Sequence, residues 1–229
     1  MLIQTAIPAV RSGSFKRPAM QVPLPAAGTH SGPVDLMGAP MSFARNAEIY
    51  GEGEPADYLY KVVSGTVRTS KLLTDGRRQV GGFYVPGDIF GLETGEEHTF
   101  SAEAITECKV LVIKRSALVA LADRDHDVAR QLWTITGSEL RRVQDHIMLL
   151  IKSAQERVAS FLLEMSGRIS AGKAVELPMS RQDIADYLGL TIETVSRTLT
   201  TLENAATIEL SSSRRIVLRN RSALNRLNA

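Results

Sequence analysis

The sequence predicts an α+β chain with an N-terminal antiparallel β-roll, one long helix and a C-terminal helical domain that includes a small β-hairpin. Three observations support this fold class. Short β-branched or aromatic runs, separated by turn residues, extend over residues 47–113. Apolar residues recur at helical spacing over residues 127–151. Two short helical patterns then meet at Gly189, and two short strand patterns follow them.

Composition limits the class of protein before any motif is considered. Residues 41–126 hold 10 Lys or Arg against 13 Asp or Glu, whereas residues 151–229 hold 11 against 8. A basic C-terminal region suits contact with nucleic acid at that end. The single cysteine, Cys108, cannot form an internal disulfide. No apolar run could span a membrane and the N-terminus lacks a signal-peptide layout, so we expect a cytoplasmic location and no membrane partner.

Residues 1–40 are predicted to form a flexible N-terminal arm. Prolines interrupt any regular element there, and Gly and Ser make up much of the remainder. The arm contains no cysteine, which excludes thiolate ligation of an iron–sulfur cluster on it.

Residues 41–126 are predicted to form the β-roll. Thr74-Asp75-Gly76 between two strand patterns is a hairpin signal. Cys108 lies in an apolar strand and is expected to be a small buried side chain, with a redox role as the alternative. The four histidines show no metal-ligand spacing, so we expect no metal and no cofactor.

Residues 127–152 are predicted to form one long helix with an apolar seam. The seam consists of Val128, Leu132, Ile135, Val143, Ile147 and Leu150. It could be buried in a coiled coil with a second copy of the chain, or against the chain's own domain.

Residues 153–229 are predicted to hold two helices joined at a turn. Ser180 followed by Asp183 is a capping-box start signal, and Gly189 supplies the left-handed residue of the turn. In the second helix, Glu193, Ser196 and Arg197 share a face that lies about 130° from the apolar face. Arginine can donate two hydrogen bonds to guanine, a carboxylate accepts from cytosine, and serine serves either base or phosphate. The arrangement favours a helix-turn-helix that contacts DNA bases over an ordinary helical hairpin with a surface Glu–Arg pair.

Two strand patterns after these helices predict a hairpin, which we call the wing. They cover residues 208–210 and 216–218, and the connection between them is Ser-Ser-Ser-Arg-Arg. Hydroxyls and guanidinium groups of this kind suit phosphate contacts, which position a protein on DNA without specifying sequence.

Residues 193–197, Glu-Thr-Val-Ser-Arg, resemble the recognition helix of the Crp–Fnr superfamily of bacterial transcription factors. The Ser places the resemblance on the FixK/FNR side, and it extends from about residue 41 to the C-terminus. It implies a cyclic-nucleotide-binding-like β-roll, a long dimerisation helix and a C-terminal winged helix-turn-helix. The family position of the long helix favours pairing through the seam as a homodimer.

The resemblance also implies a palindromic DNA site, TTGA, six base pairs and TCAA, and recruitment of RNA polymerase as an activator. In that scheme Arg197 contacts guanine, Glu193 the opposite cytosine or a neighbouring adenine, and Ser196 a thymine. The implied phosphate contacts are Arg181, Thr191, Arg214 and Arg215. The implied target genes serve microaerobic respiration, denitrification or nitrogen fixation.

The sequence departs from the family pattern at two places. Nucleotide-binding members carry an Arg that neutralises the cyclic phosphate, whereas here no Arg lies between Arg78 and Arg115. Without this Arg, the roll lacks the main attraction for a cyclic phosphate. A regulator of the same architecture controlled by cyclic nucleotide is thus an alternative to the favoured interpretation, as is a repressor that acts by occupying its site. Asn204 and Ala206 stand where the family has two glycines, which puts the geometry of that turn in doubt. No catalytic motif is present, so we do not expect an enzyme.

Overall fold

The computed structural model describes residues 37–169, 172 and 174–228. Residues 1–36 of the predicted arm lie outside this part. The first strand begins at Ala39 and includes Pro40, so the end of the predicted arm belongs to the β-roll. Pro40 is tolerated there because the strand lies at the edge of its sheet.

The N-terminal domain is an antiparallel β-roll built from two four-stranded sheets, in the orders β1-β8-β3-β6 and β2-β7-β4-β5. Its strands are β1 (Ala39–Phe43), β2 (Glu48–Tyr50), β3 (Tyr58–Ser64), β4 (Val67–Leu72), β5 (Arg78–Tyr84), β6 (Ile89–Phe90), β7 (Ser101–Ala104) and β8 (Cys108–Lys114).

Side chains from both sheets fill the core of the roll. Tyr60, Phe90 and Val110 pack there with Cys108, which is buried as predicted. Burial raises the pKa of the Cys108 thiol and so favours its unreactive form. The predicted hairpin joins β4 to β5, with Gly76 at the left-handed φ of 82° that its turn requires.

Two helices follow the roll, α1 (Arg115–Ala122) and α2 (His126–Leu150). Helix α1 was not predicted from the sequence. It covers one end of the roll by burying Leu118 against Leu59 and Ile113. The long helix α2 is the predicted one. Asp125 caps it by accepting hydrogen bonds from the backbone N–H groups of its first turn. No helix in the described ranges is both long and apolar enough to cross a membrane.

The C-terminal domain is a winged helix-turn-helix. Its elements are α3 (Ala154–Ile169), β9 (Ala174–Glu176), α4 (Arg181–Leu188), α5 (Ile192–Asn204), β10 (Ile208–Leu210), β11 (Arg215–Leu218) and α6 (Arg221–Asn228). The wing strands β10 and β11 form where the sequence predicted them, and β9 extends them to a three-stranded sheet. Neither β9 nor α6 was predicted; α6 packs on α3 and buries Leu224.

The core of the C-terminal domain extends into the β-roll. Phe161, Leu188, Val195 and Leu199 form one buried cluster with the C-terminal sheet. Val80, Phe83 and Ile105 of the roll belong to the same cluster. The two domains therefore share apolar packing.

The turn after α5 is the one that the sequence left in doubt. Ala206 lies in the left-handed region, with φ of 51°. Its N–H donates to the carbonyl of Glu203, and the N–H of Thr207 donates to the carbonyl of Leu202. These are the two hydrogen bonds of a Schellman ending, so the chain forms the turn despite the Cβ of Ala206.

Candidate DNA-binding site

The first helix of the motif is fixed at both ends by local hydrogen bonds. Ser180 Oγ accepts from the backbone N–H of Asp183 at 3.1 Å, and the Asp183 carboxylate accepts from the backbone N–H of Ser180 at 2.9 Å. This is the predicted capping box. Gly189 ends the helix with φ of 62°. The turn therefore places α5 at a fixed angle to α4.

The second helix, α5, is buried on one face and open on the other. Val195, Leu199 and Leu202 are buried in the domain core. Glu193 and Arg197 are exposed on the opposite side, and Ser196 is half-buried between them and the domain. The structure thus brings the three predicted base-contacting residues onto one surface.

Glu193 is held in its ionised form. Its own backbone N–H, the hydroxyl of Thr191 and the charge of Arg197 lower the pKa of the Glu193 carboxyl. A carboxylate at this place can only accept hydrogen bonds, which suits the amino group of cytosine or adenine.

Thr191 and Arg181 border this surface. Thr191 is the N-cap of α5 and accepts from the backbone N–H of Thr194 at 3.2 Å. Arg181, in the first turn of α4, donates from Nη1 to Ser196 Oγ at 3.3 Å. The predicted phosphate ligand Arg181 therefore also contacts a predicted base ligand.

The wing carries two further cations. Ser212 Oγ accepts from the backbone N–H groups of Arg214 and Arg215, at 3.3 and 3.0 Å, which orders the loop. Neither guanidinium pairs with a carboxylate among the described residues. Both charges are thus available to an anionic partner.

The predicted seam of α2 is covered by the chain's own β-roll along only part of its length. Leu132 packs against the cluster formed by the roll and α1, and Ile135 lies beside the same cluster. Val143 and Ile147, further along the helix, remain exposed. Leu150 is half-buried near the turn at Gly189. Leu132 and Ile135 therefore face the chain's own β-roll.

Besides the predicted Val143 and Ile147, the exposed apolar stripe along α2 contains Trp133, Leu140 and Ile151, which were not predicted from the sequence. Trp133 is 82% exposed, Leu140 58%, Ile147 57% and Ile151 75%. Residues 133, 140 and 147 are seven apart, which is the spacing of a coiled-coil position. The heptad spacing back from Ile147 was the signal that could have identified Leu140 and Trp133.

The loop between β6 and β7, in the stretch that contains no Arg, is held by contacts within the chain. Glu93 accepts from the backbone N–H and the hydroxyl of Thr99, and the Arg115 guanidinium donates to the carbonyls of Gly95 and Thr94. Within the described residues, no three His, Cys, Asp or Glu side chains are placed to hold a metal ion.

Comparison with known proteins agrees with this architecture. The Crp-like helix-turn-helix domain matches residues 156–227, and the cyclic nucleotide-binding domain matches residues 40–125. The nitrogen fixation regulation protein FixK of Azorhizobium caulinodans is 55% identical over 202 residues, covering 86% of this chain and 82% of that protein. The transcriptional activatory protein AadR of Rhodopseudomonas palustris is 42% identical over 160 residues, covering 68% of this chain and 67% of that protein.

Among solved structures, FixK2 from Bradyrhizobium japonicum superposes with a TM-score of 0.81 at 53% identity, covering 84% of this chain and 98% of that chain. These relatives are transcription regulators and not enzymes, which confirms the class predicted from the sequence. The chain therefore belongs to the FixK-type branch of the Crp–Fnr superfamily of DNA-binding transcription regulators.

Proposed function

We propose that this protein is a homodimeric transcription activator that binds the palindrome TTGA, six base pairs and TCAA. The observation that carries the proposal is the surface of α5, where Glu193, Ser196 and Arg197 lie together opposite the buried face. A helix of this kind fits the major groove with its N-terminal residues against base edges.

Each side chain has a role that matches its chemistry. Arg197 is exposed and donates two hydrogen bonds to guanine. Glu193, which is ionised, accepts from the amino group of the opposite cytosine or of a neighbouring adenine. Ser196, held by Arg181, contacts a thymine. Arg181 and Thr191, with the wing residues Arg214 and Arg215, contact phosphates.

The homodimer forms through α2. The exposed stripe Trp133, Leu140, Val143, Ile147 and Ile151 supplies an apolar face that a second copy covers in a parallel coiled coil. Of the interface residues predicted from the sequence, this proposal keeps Val143 and Ile147. It replaces Leu132, Ile135 and Leu150 by Trp133, Leu140 and Ile151. A two-fold dimer places its recognition helices about 34 Å apart, one turn of DNA, and so requires a palindrome.

The proposals that this protein activates transcription and that it acts on particular genes are based on the names of its relatives. One is a transcriptional activatory protein and another a nitrogen fixation regulation protein. We infer that this chain recruits RNA polymerase in the cytoplasm at promoters for microaerobic respiration, denitrification or nitrogen fixation. In vitro transcription with purified polymerase tests this step, since a repressor that acts by site occupancy would lower the transcript yield.

Selection of bound sequences from random DNA tests the proposed site directly. We expect enrichment of TTGA and TCAA half-sites at one fixed separation. Enrichment of an unrelated sequence, or of single half-sites alone, would contradict the proposal. Calorimetric titration with cyclic AMP and cyclic GMP tests the cyclic-nucleotide alternative, which saturable binding in the micromolar range would favour.

A further inference from the structure

The β-roll contacts the helix-turn-helix directly through β5. The Phe83 ring lies 5.3 Å from that of Tyr187 on α4 and 6.2 Å from that of Phe161 on α3. Val80, three residues nearer the hairpin, is fully buried in the same cluster. This packing brings the hairpin end of β5 against α4.

Beside this apolar contact, two arginines of the roll bind two aspartates of α4. Arg68 on β4 contacts Asp183 at 2.5 Å. Arg78 on β5 contacts both Asp183 and Asp186, each at 2.7 Å. The side chain of Asp183 is 6% exposed and that of Asp186 is 12% exposed, so water screens these pairs poorly. We call Arg68, Arg78, Asp183 and Asp186 the latch.

Further contacts connect the latch residues to both domains. Glu103 on β7 contacts the same Arg68 guanidinium at 2.7 Å, which fixes it on the roll. On the other side, Asp183 closes the capping box of α4. A displacement of the roll would therefore disturb the start of the first helix of the motif.

Two further contacts limit how the C-terminal domain can turn. Arg168 on α3 donates to the Phe83 carbonyl at 2.7 Å and to the Asp88 carboxylate at 2.6 Å. On α2, the His146 ring lies 4.2 Å from that of Tyr187. The helix-turn-helix is thus held from the roll and from α2, although only a short turn at residues 151–153 connects it to α2.

We propose that Arg68 and Arg78 are positioning residues, through which the β-roll fixes the orientation of the helix-turn-helix and hence the separation of the two recognition helices. The proposal rests on the proposed homodimeric DNA binding and assigns a role in it to the roll. Two motifs on loose connections would accept several half-site separations, whereas two latched motifs accept one. Buried ionic groups serve here to specify geometry more than to add stability.

Charge reversal at Arg78 tests the latch, with a neighbour as matched control. Arg78→Glu places a carboxylate against Asp183 and Asp186. Arg77→Glu changes the adjacent residue, whose guanidinium forms an ion pair with Asp75 and with no α4 residue in the described part of the chain. Fluorescence anisotropy measures Kd for the palindrome, for palindromes one base pair shorter or longer, and for a single half-site. For wild type and Arg77→Glu we expect a clear preference for one separation.

For Arg78→Glu we expect that preference to fall by about tenfold, equivalent to about 1.4 kcal/mol, with half-site affinity within about twofold of wild type. Adding Asp186→Arg restores an attractive pair and should recover part of the preference. An unchanged preference in Arg78→Glu would overturn the proposal. An equal loss on half-sites and palindromes would also overturn it, because that pattern indicates damage to the domain itself.

Hydrogen–deuterium exchange on DNA-free protein tests the contact without the palindrome. We expect Arg78→Glu to speed amide exchange in both β5 and α4, and Arg77→Glu to leave it unchanged. If Arg78→Glu does not fold, Arg78→Met takes its place in the same measurements, because it removes the positive charge without adding repulsion. If wild type binds no palindrome, the proposed function fails, while unchanged exchange in the Arg78 variants would refute the latch independently.

Discussion

Three side chains at the start of α5 differ in how firmly their neighbours hold them. Ser196 accepts a hydrogen bond from Arg181, and Glu193 is kept ionised by its surroundings. Arg197 is exposed and contacts no carboxylate within ion-pair distance in the described part of the chain. Its guanidinium is therefore the one most ready to form new hydrogen bonds in the groove.

Arg197→Ala is expected to weaken binding to the palindrome by about 1–3 kcal/mol. The loss should be confined to sites with the native guanine, because the contact is made to that base. Anisotropy titrations against sites substituted at each position measure it. Equal losses on scrambled DNA would refute a base contact by Arg197.

The matched comparison is Arg214→Ala in the wing. A phosphate contact carries no sequence information, so affinity should fall alike on all sequences. The slope of log affinity against log salt should decrease by about one. If the loss of affinity in Arg214→Ala depended on the DNA sequence, Arg214 would contact bases instead of phosphates.

Ala206 carries a backbone cost that glycine would remove. Ala206→Gly is expected to raise the free energy of unfolding by about 1 kcal/mol, because the left-handed region crowds a Cβ. A rise of about 2–4 °C in Tm should accompany it. Ala205→Gly is the control, since Ala205 has φ of −79° and gains nothing from glycine. A lower Tm for Ala206→Gly would show that the position is unstrained.

At the scale of elements, α2 joins the parts of the molecule through two different faces. Val128 and Leu132 pack on the roll and α1, and further along His146 contacts α4. The opposite face exposes Trp133, Leu140 and Ile147. The same helix thus contacts both of the chain's own domains and exposes an apolar face to the proposed second copy.

Leu140→Glu is expected to dissociate the dimer without unfolding the chain. A charge in an apolar seam is costly to bury, and Leu140 makes no contribution to the described core. Sedimentation velocity should show a monomer, with DNA binding reduced to half-sites. Ser138→Glu, at an exposed position outside the stripe, is the control and should remain dimeric. A dimeric Leu140→Glu would place the interface elsewhere.

The contact of α2 with α4 makes stability depend on pH. Burial, together with the charge of Arg142, lowers the pKa of His146. The unfolded chain takes up a proton near pH 6.5, whereas the folded chain resists it, so the free energy of unfolding falls as pH drops below about 6.5. Burial lowers the pKa of His98 as well, so part of this dependence belongs to the roll.

His146→Gln is expected to flatten the pH dependence, measured by urea unfolding between pH 7.5 and about 5.5. His126→Gln, at the exposed start of α2, serves as the control and should keep the wild-type slope. An unchanged slope in His146→Gln would assign the acid sensitivity to other groups.

At the scale of the whole molecule, the β-roll and the helix-turn-helix form one connected body. Burial raises the pKa of Asp183, but hydrogen bonds from Ser180 and the charges of Arg68 and Arg78 outweigh it and leave that pKa below its ordinary value. Asp183 is thus a charged group shared between domains. In the proposed mechanism, the roll contributes to DNA recognition by fixing the position of the helix-turn-helix.

The sequence by itself determined the local elements and the chemistry of the proposed DNA surface. The capping box at Ser180, the turn at Gly189 and the two faces of α5 depend on residues within a few positions of one another. Their signals are short in sequence, so periodicity and capping rules were enough to place Glu193, Ser196 and Arg197 together.

Only the tertiary structure decided which face of α2 packs on the roll and which partners Asp183 binds. Leu132 and Trp133 are adjacent and both apolar, so helical periodicity could not settle which of them turns inward. Arg68 and Arg78 lie 115 and 105 residues before Asp183, and Phe83 lies far from the C-terminal core that it joins. Contacts at such separations produce no periodic pattern in a single sequence, because they form only when segments distant in the chain pack together.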